Sequence, residues 1–242
     1  MATELVGSNY IVPNTLIRID TSTGAGTAVG PLVESVRGLA FDTNTGTLYG
    51  TLFATDSLLL RINYSTGAAT VVGSLGSVDP EGLAFDPNTN TLYGTNVFTD
   101  QLLTIDTSTG APTAVGALGF PAVGGLAFDP NTNTLYGTDF ILDRLVTIDT
   151  LTGAATEVGP LGIPRVEGLE FDPNTNTLYG TGTISDELLT IDTSTGAATA
   201  VGPLGFGFVV GLAVVPEPST ALLLGAGLLM FASARRPTQR LH

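Results

Sequence analysis

A chain that repeats itself every 43 residues must stack its copies or close them into a ring, because one such unit cannot bury its own apolar face. Ile-Asp-Thr recurs at Ile19, Ile105, Ile148 and Ile191, with Ile62-Asn63-Tyr64 as a variant copy, each 43 residues from the next. Gly-Leu-Ala-Phe-Asp starts at Gly38, Gly82 and Gly125, becomes GLEFD at Gly168 and decays to GLAVV at Gly211. Leu-Tyr-Gly-Thr starts at Leu48, Leu92, Leu135 and Leu178, and LVGS at Leu5 is a worn copy. Between these motifs lie DPNTNT (Asp86, Asp129, Asp172), DTNTGT at Asp42, and a second linker reading DTSTGA or close to it.

One repeat therefore holds four short runs: A (GLAFD), B (TLYGT), C (LLTID) and D (the TAVG-like run). Each is apolar or β-branched and bounded by Gly, Pro, Asn, Asp or Thr, and none has helical spacing over helical length. The linkers read as hairpin turns: Asp accepts backbone N–H groups, Pro presets φ, and Asn or Gly tolerates positive φ. Four antiparallel strands in about 40–45 residues is the period of a propeller blade. The chain opens on run B (Leu5–Ser8), runs through four complete A–D units and ends its body on a solitary A at Gly211–Val215. The expected fold is all-β: a five-bladed β-propeller of four-stranded antiparallel blades over residues 1–215. Its closing blade is shared by the N- and C-terminal strands, which removes an open seam.

Composition excludes several functions. There is no Cys, no Trp and no Lys, and the single His is His242. Thiol chemistry, Cys-ligated metals and His-based triads or metal sites are thereby lost. The net charge of −14 leaves no basic footprint for nucleic acid. Without the tail, 21 acidic residues against 5 Arg leave −16, which opposes self-association at low salt and predicts a monomeric body. The recurrent Asp residues offer one carboxylate per turn, too few for a calcium loop, so they are expected to close their own turns. No metal and no cofactor is expected.

After Val215 the chain changes to PEPSTALLLGAGLLMFASARRPTQRLH. Its apolar stretch, Ala221–Ala234, is expected to form a helix, and the following Arg235 and Arg236 orient it with the tail end cytoplasmic and the body outside. Pro216-Glu217-Pro218, the apolar stretch and the terminal Arg cluster together resemble the PEP-CTERM sorting signal of Gram-negative bacterial proteins. That resemblance covers residues 216–242 and implies a membrane-anchored intermediate, processing by an exosortase-type enzyme, and a final location at the cell surface or in the extracellular matrix. Export also needs an N-terminal signal with a basic region and an apolar core. Residues 1–10 carry neither and are already run B, so the expectation is a longer reading frame or an upstream start. The blades more loosely resemble bacterial surface propellers with comparable LYG and IDT repeats.

The A–B and C–D turns are nearly identical in every copy, whereas the B–C and D–A connections differ, and in a propeller those two sets share one face. They carry Tyr10, Phe53, Phe98, Phe140, Phe120, Phe206 and Phe208 with Arg37, Arg144 and Arg165. Two readings of this cluster stand side by side: a binding surface, with Phe53, Phe98, Phe140, Phe120, Phe206, Arg144 and Arg165 as its ligand-binding residues, or a plug over the channel. Tyr49, Tyr93, Tyr136 and Tyr179 recur with the repeat and are assigned to packing between blades. The acids least typical of the repeat are Asp79, Glu81, Glu167 and Glu170; Glu170 takes an Ala position in run A, the strand that lines the channel. The expected function is a non-enzymatic surface propeller, either a binding module for matrix polysaccharide or a structural coat protein. The alternative is a glycoside-active enzyme using channel carboxylates, which needs two of them at a defined separation.

Overall fold

The computed structural model describes residues 3–33, 36–76, 78 and 80–217. Among these residues, twenty strands form five four-stranded antiparallel sheets. The chain enters with β1 (Thr3–Asn9), β2 (Thr15–Ile19) and β3 (Gly26–Pro31). The first complete blade is β4 (Val36–Asp42), β5 (Thr47–Leu52), β6 (Ser57–Ile62) and β7 (Ala69–Gly76). The second is β8 (Pro80–Asp86), β9 (Thr91–Asn96), β10 (Gln101–Ile105) and β11 (Pro112–Ala117). The third is β12 (Val123–Asp129), β13 (Thr134–Asp139), β14 (Arg144–Ile148) and β15 (Ala155–Pro160). The fourth is β16 (Val166–Asp172), β17 (Thr177–Gly182), β18 (Glu187–Ile191) and β19 (Ala198–Pro203), followed by β20 (Val209–Pro216). The closing sheet has the order β20-β1-β2-β3, with Thr3 opposite Pro216 and Gly7 opposite Leu212. The chain is a five-bladed β-propeller whose last blade joins its two ends, as the phase of the repeat predicts.

The strands follow the four runs, with one consistent difference. The inner strands begin about two residues before the Gly-Leu motif: β4 starts at Val36 and β16 at Val166. The residue just ahead of that Gly is thus a strand residue at the channel mouth. Proline 216, placed by sequence in the tail, is the last residue of β20, and Glu217 is the last described residue. The expected C-terminal helix, together with Pro218, Arg235, Arg236 and the candidate acid Asp79, lies outside the described residues. Among the described residues no helix is long and apolar enough to cross a membrane.

The apolar residues gather in clusters that each bridge two blades. Ala40, Tyr49 and Leu59 of the first blade meet Leu83, Phe85 and Leu92 of the second. Val6, Leu16, Ala213 and Val215 of the closing blade meet Leu39, Phe41 and Leu48 of the first. Tyr49, Tyr93, Tyr136 and Tyr179 are all buried in such seams, as expected from their recurrence. Inner strands alternate, so Leu39 and Phe41 face one neighbouring blade while Ala40 faces the other.

A second interlock sits at the rim. The outer-strand pairing slips by one residue beside each Val-Gly pair, as between Leu145 and Val146 opposite Gly159 and Glu157. That bulge lays Gly159 against the next blade's C–D turn, where a Cβ would be driven into the carbonyl oxygen of Thr195. The same contact recurs at every seam, including Gly202 against Thr23, which closes the ring.

Candidate functional site

The repeat positions that hold the scaffold also expose where it varies. The conserved turns behave as their composition predicts: Asp42 Oδ1 accepts the backbone N–H groups of Asn44 (2.8 Å) and Thr45 (3.0 Å), and Asp106 Oδ1 those of Ser108 (2.7 Å) and Thr109 (3.0 Å). The Ser22, Ser108 and Ser194 hydroxyls, followed by the backbone N–H groups of the same turns, hold Asp20, Asp106 and Asp192 below the usual carboxylate range. The backbone N–H groups of Thr152 and Leu151 do the same for Asp149. No group of three or more potential metal ligands occurs among the described residues.

The B–C and D–A connections do share one face, and at its centre the second residue of each inner strand points the five blades at one another. Those residues are Arg37, Glu81, Gly124, Glu167 and Val210, different in almost every blade, and all border a cavity of about 150 Å³ with Tyr10, Arg165 and Phe208. Arg37 pairs with Glu81 across the first seam, and its guanidinium lies 4.2 Å from the ring centroid of Phe53 and 5.3 Å from that of Tyr10. Arg165 binds Glu167 at 2.6 Å and stands 5.4 Å from the Phe140 centroid. Thr183 Oγ1 donates to the same Glu167 carboxylate at 3.1 Å. Phe140 can lean inward because Gly124 has no side chain; a Cβ there would lie 2.7 Å from its ring.

Backbone strain is stored at this mouth. Arg165 (φ 53°) and Phe208 (φ 51°) occupy the left-handed region at equivalent repeat positions, at a cost of about 1–2 kcal/mol each. Each is held there by a carboxylate of the neighbouring B–C loop: Arg165 N–H donates to Asp143 at 2.8 Å and Phe208 N–H to Asp186 at 3.1 Å. Around the mouth, Val12, Phe98, Ile141 and Ile184 stand exposed at the B–C loop tips of four blades, an apolar rim about a charged and aromatic centre.

The seven loop residues picked out by sequence separate into groups. Phe53, Phe140 and Arg165 meet at the mouth, and Phe98, 69% exposed, belongs to the rim. Phe120 and Phe206 instead pack against the seam clusters below the loops. Arg144 lies on the flank of its blade, 3.4 Å from Glu157. The ring of residues preceding each Gly-Leu motif was legible as the one position where R, E, G, E and V replace one another ahead of an otherwise constant run.

Below the mouth the channel pinches to about 10 Å³ between the Gly-Leu segments of all five inner strands. Beyond the pinch it opens into a separate cavity of about 270 Å³ at the conserved-turn end, lined by Phe41, Phe85, Phe128, Phe171, Val214 and Glu170 among others. Glu170 therefore does not join Glu81 and Glu167; three residues of strand, about 10 Å, separate it from Glu167. At the other four seams an Ala of one blade packs beside a Phe of the next, as Ala40 does with Phe85 and Ala127 with Phe171. At the seam between the fourth and closing blades the pair is Glu170 and Val214, so the larger side chain has changed sides. Glu170 Oε1 accepts the backbone N–H of Val214 at 3.0 Å. Burial, with a smaller contribution from the Asp172 charge, pushes its carboxyl up to about 8.

The fold and these two channel ends place the chain among the β-propellers. No family model matches the chain, and no curated protein matches it. Among solved structures, it is similar to a chain of a nidogen/laminin complex, with a TM-score of 0.63 and 17% identity over 89% of this chain and 99% of that one. It is also similar to a Bacteroides thetaiotaomicron VPI-5482 protein of unknown function, with a TM-score of 0.60 and 15% identity over 78% of this chain and 52% of that one. A third similar structure is virginiamycin B lyase from Staphylococcus aureus, with a TM-score of 0.50 and 18% identity over 81% of this chain and 69% of that one. At these identities the likeness is one of fold.

Proposed function

We propose that this propeller is a non-enzymatic binding module whose ligand docks on the variable-loop face, and that the ligand is an extracellular polysaccharide. The observation that carries the reading is the mouth itself. Five near-identical blades diverge there into two Arg–Glu pairs backed by Tyr10, Phe53 and Phe140 and ringed by exposed apolar tips. Charged pairs of this kind present several fixed donors and acceptors to sugar hydroxyls, and exposed rings such as Phe98 offer stacking faces. Of the neighbours by fold, one belongs to a nidogen/laminin complex and one is a lyase, so the choice between binding and catalysis rests on the site.

Glycoside cleavage, the alternative, needs a carboxyl able to give up a proton opposite a second carboxylate. Glu81 and Glu167 share one cavity, but each is engaged by a guanidinium, and Glu170 lies at the far end of the channel. This favours binding. We also place the protein outside the inner membrane, at the cell surface or in the matrix, after processing of the PEP-CTERM-like tail by an exosortase-type enzyme; the tail's resemblance and order of parts support this. Pull-down of the intact body by an array of bacterial polysaccharides tests the binding reading. Saturable retention that is lost in Arg37→Met/Arg165→Met and weakened in Phe98→Ala is expected. No retention of the folded body, or equal retention of the variants, would overturn it.

A further inference from the structure

The cavity at the conserved-turn end has no part in that reading, and its lining differs from that of the mouth. Phe41, Phe85, Phe128 and Phe171 supply aromatic walls from four blades, Pro87, Pro130 and Pro173 form part of the rim, and Glu170 is its one charged lining group among the described residues. Among the described residues, no arginine lines it. The body around it carries −16, and the neighbouring Asp172 adds to the negative potential felt by Glu170.

We propose that this cavity is a binding site for a small organic ammonium cation, held by the Glu170 carboxylate and the surrounding phenylalanine rings. Aromatic walls with one acidic group suit a weakly hydrated cation, whose charge is drawn to ring faces and whose alkyl groups replace water on apolar surface. They do not suit a strongly hydrated metal ion, which needs several oxygen ligands. The Glu170–Val214 exchange makes the site: returning this seam to the Ala–Phe pair of the other four would remove the acid and fill the space beside it. Because an empty cavity favours the protonated acid, entry of a cation must release a proton from Glu170 to the solvent. Binding therefore strengthens with pH up to about 8 and levels off above it. Of the other charged groups at this end, the turn carboxylates Asp42, Asp86, Asp129 and Asp172 are engaged by hydrogen bonds from their own turns, as are Asp20, Asp106, Asp149 and Asp192; Glu4 pairs with Arg18 at 2.6 Å beside the adjoining groove, which Glu217 also lines.

Titration calorimetry of the whole chain with tetramethylammonium, at constant ionic strength set with sodium, tests the site. Saturable binding is expected, weakened about tenfold or more by Glu170→Gln and abolished in Glu170→Ala/Val214→Phe. Both variants must first show the wild-type circular dichroism spectrum; the second restores a pair the fold already accepts at four seams. Wild-type affinity should rise from pH 6 to pH 8, and the proton release should disappear in Glu170→Gln. Absence of saturable binding, binding that persists in the filled double variant, or an affinity that Glu170→Gln leaves unchanged would each overturn the proposal.

Discussion

The Glu170–Val214 seam makes a quantitative prediction about stability. Carrying a carboxyl from an ordinary 4.5 to about 8 on folding costs about 3 kcal/mol at pH 7, at about 1.4 kcal/mol per tenfold change in proton affinity. Contact with cavity water lowers this to roughly 2–3 kcal/mol. The folded chain binds this proton more tightly than the unfolded chain does, so its contribution to stability falls as pH rises from 4.5 to about 8 and is level on either side. Glu170→Gln removes the titration and keeps an acceptor for the Val214 N–H. Its advantage over wild type should grow from near zero below pH 4.5 to roughly 2–3 kcal/mol at pH 7 and roughly 3–4 kcal/mol above pH 8. Glu170→Ala/Val214→Phe adds about 1 kcal/mol from the larger buried side chain, which at pH 7 raises the midpoint of thermal unfolding by about 10 °C for a domain of this size. Urea unfolding of the three proteins at pH 4, 7 and 9 measures these differences. Parallel pH profiles for wild type and Glu170→Gln would refute the reasoning, because they would show that Glu170 titrates alike in the folded and unfolded chain.

Other consequences follow from the same geometry. Gly159→Ala should destabilise by about 3 kcal/mol or more in denaturant unfolding, since its Cβ meets the Thr195 carbonyl, a backbone atom that cannot swing away. Asp20, Asp106, Asp149 and Asp192 should titrate below 3.8 by NMR; their turns then stabilise the fold above that pH and lose this support as pH falls through their lowered values. The body should elute as a monomer at low salt and associate more at high salt, where its acidic self-repulsion is screened; light scattering measures this.

Most of the scaffold was legible in the sequence because a repeat reports itself five times. The 43-residue spacing, the turn residues and the opening phase at LVGS carried the blade count and the closure by β1 and β20. The functional ends were less legible, for two physical reasons. The channel mouth depends on which residues the inner strands carry before the Gly-Leu motif, so Arg37, Glu81 and Glu167 looked like loop residues until the strands proved longer. The far cavity depends on a pair, Glu170 and Val214, that are 44 residues apart; each looked like isolated drift from the repeat, whereas across the seam the two changes fit one another in size. Likewise, nothing local distinguished Phe120 and Phe206, which pack downward, from Phe98, which faces solvent.

The account holds that polysaccharide recognition is confined to the variable-loop mouth. Amide chemical-shift mapping with a retained polysaccharide tests this most directly. Perturbations should centre on Tyr10, Arg37, Glu81, Gly124, Arg165 and Glu167 and on the B–C loop tips, leaving the A–B and C–D turns unmoved. Perturbations centred on those conserved turns, or spread evenly over the five blades, would contradict it.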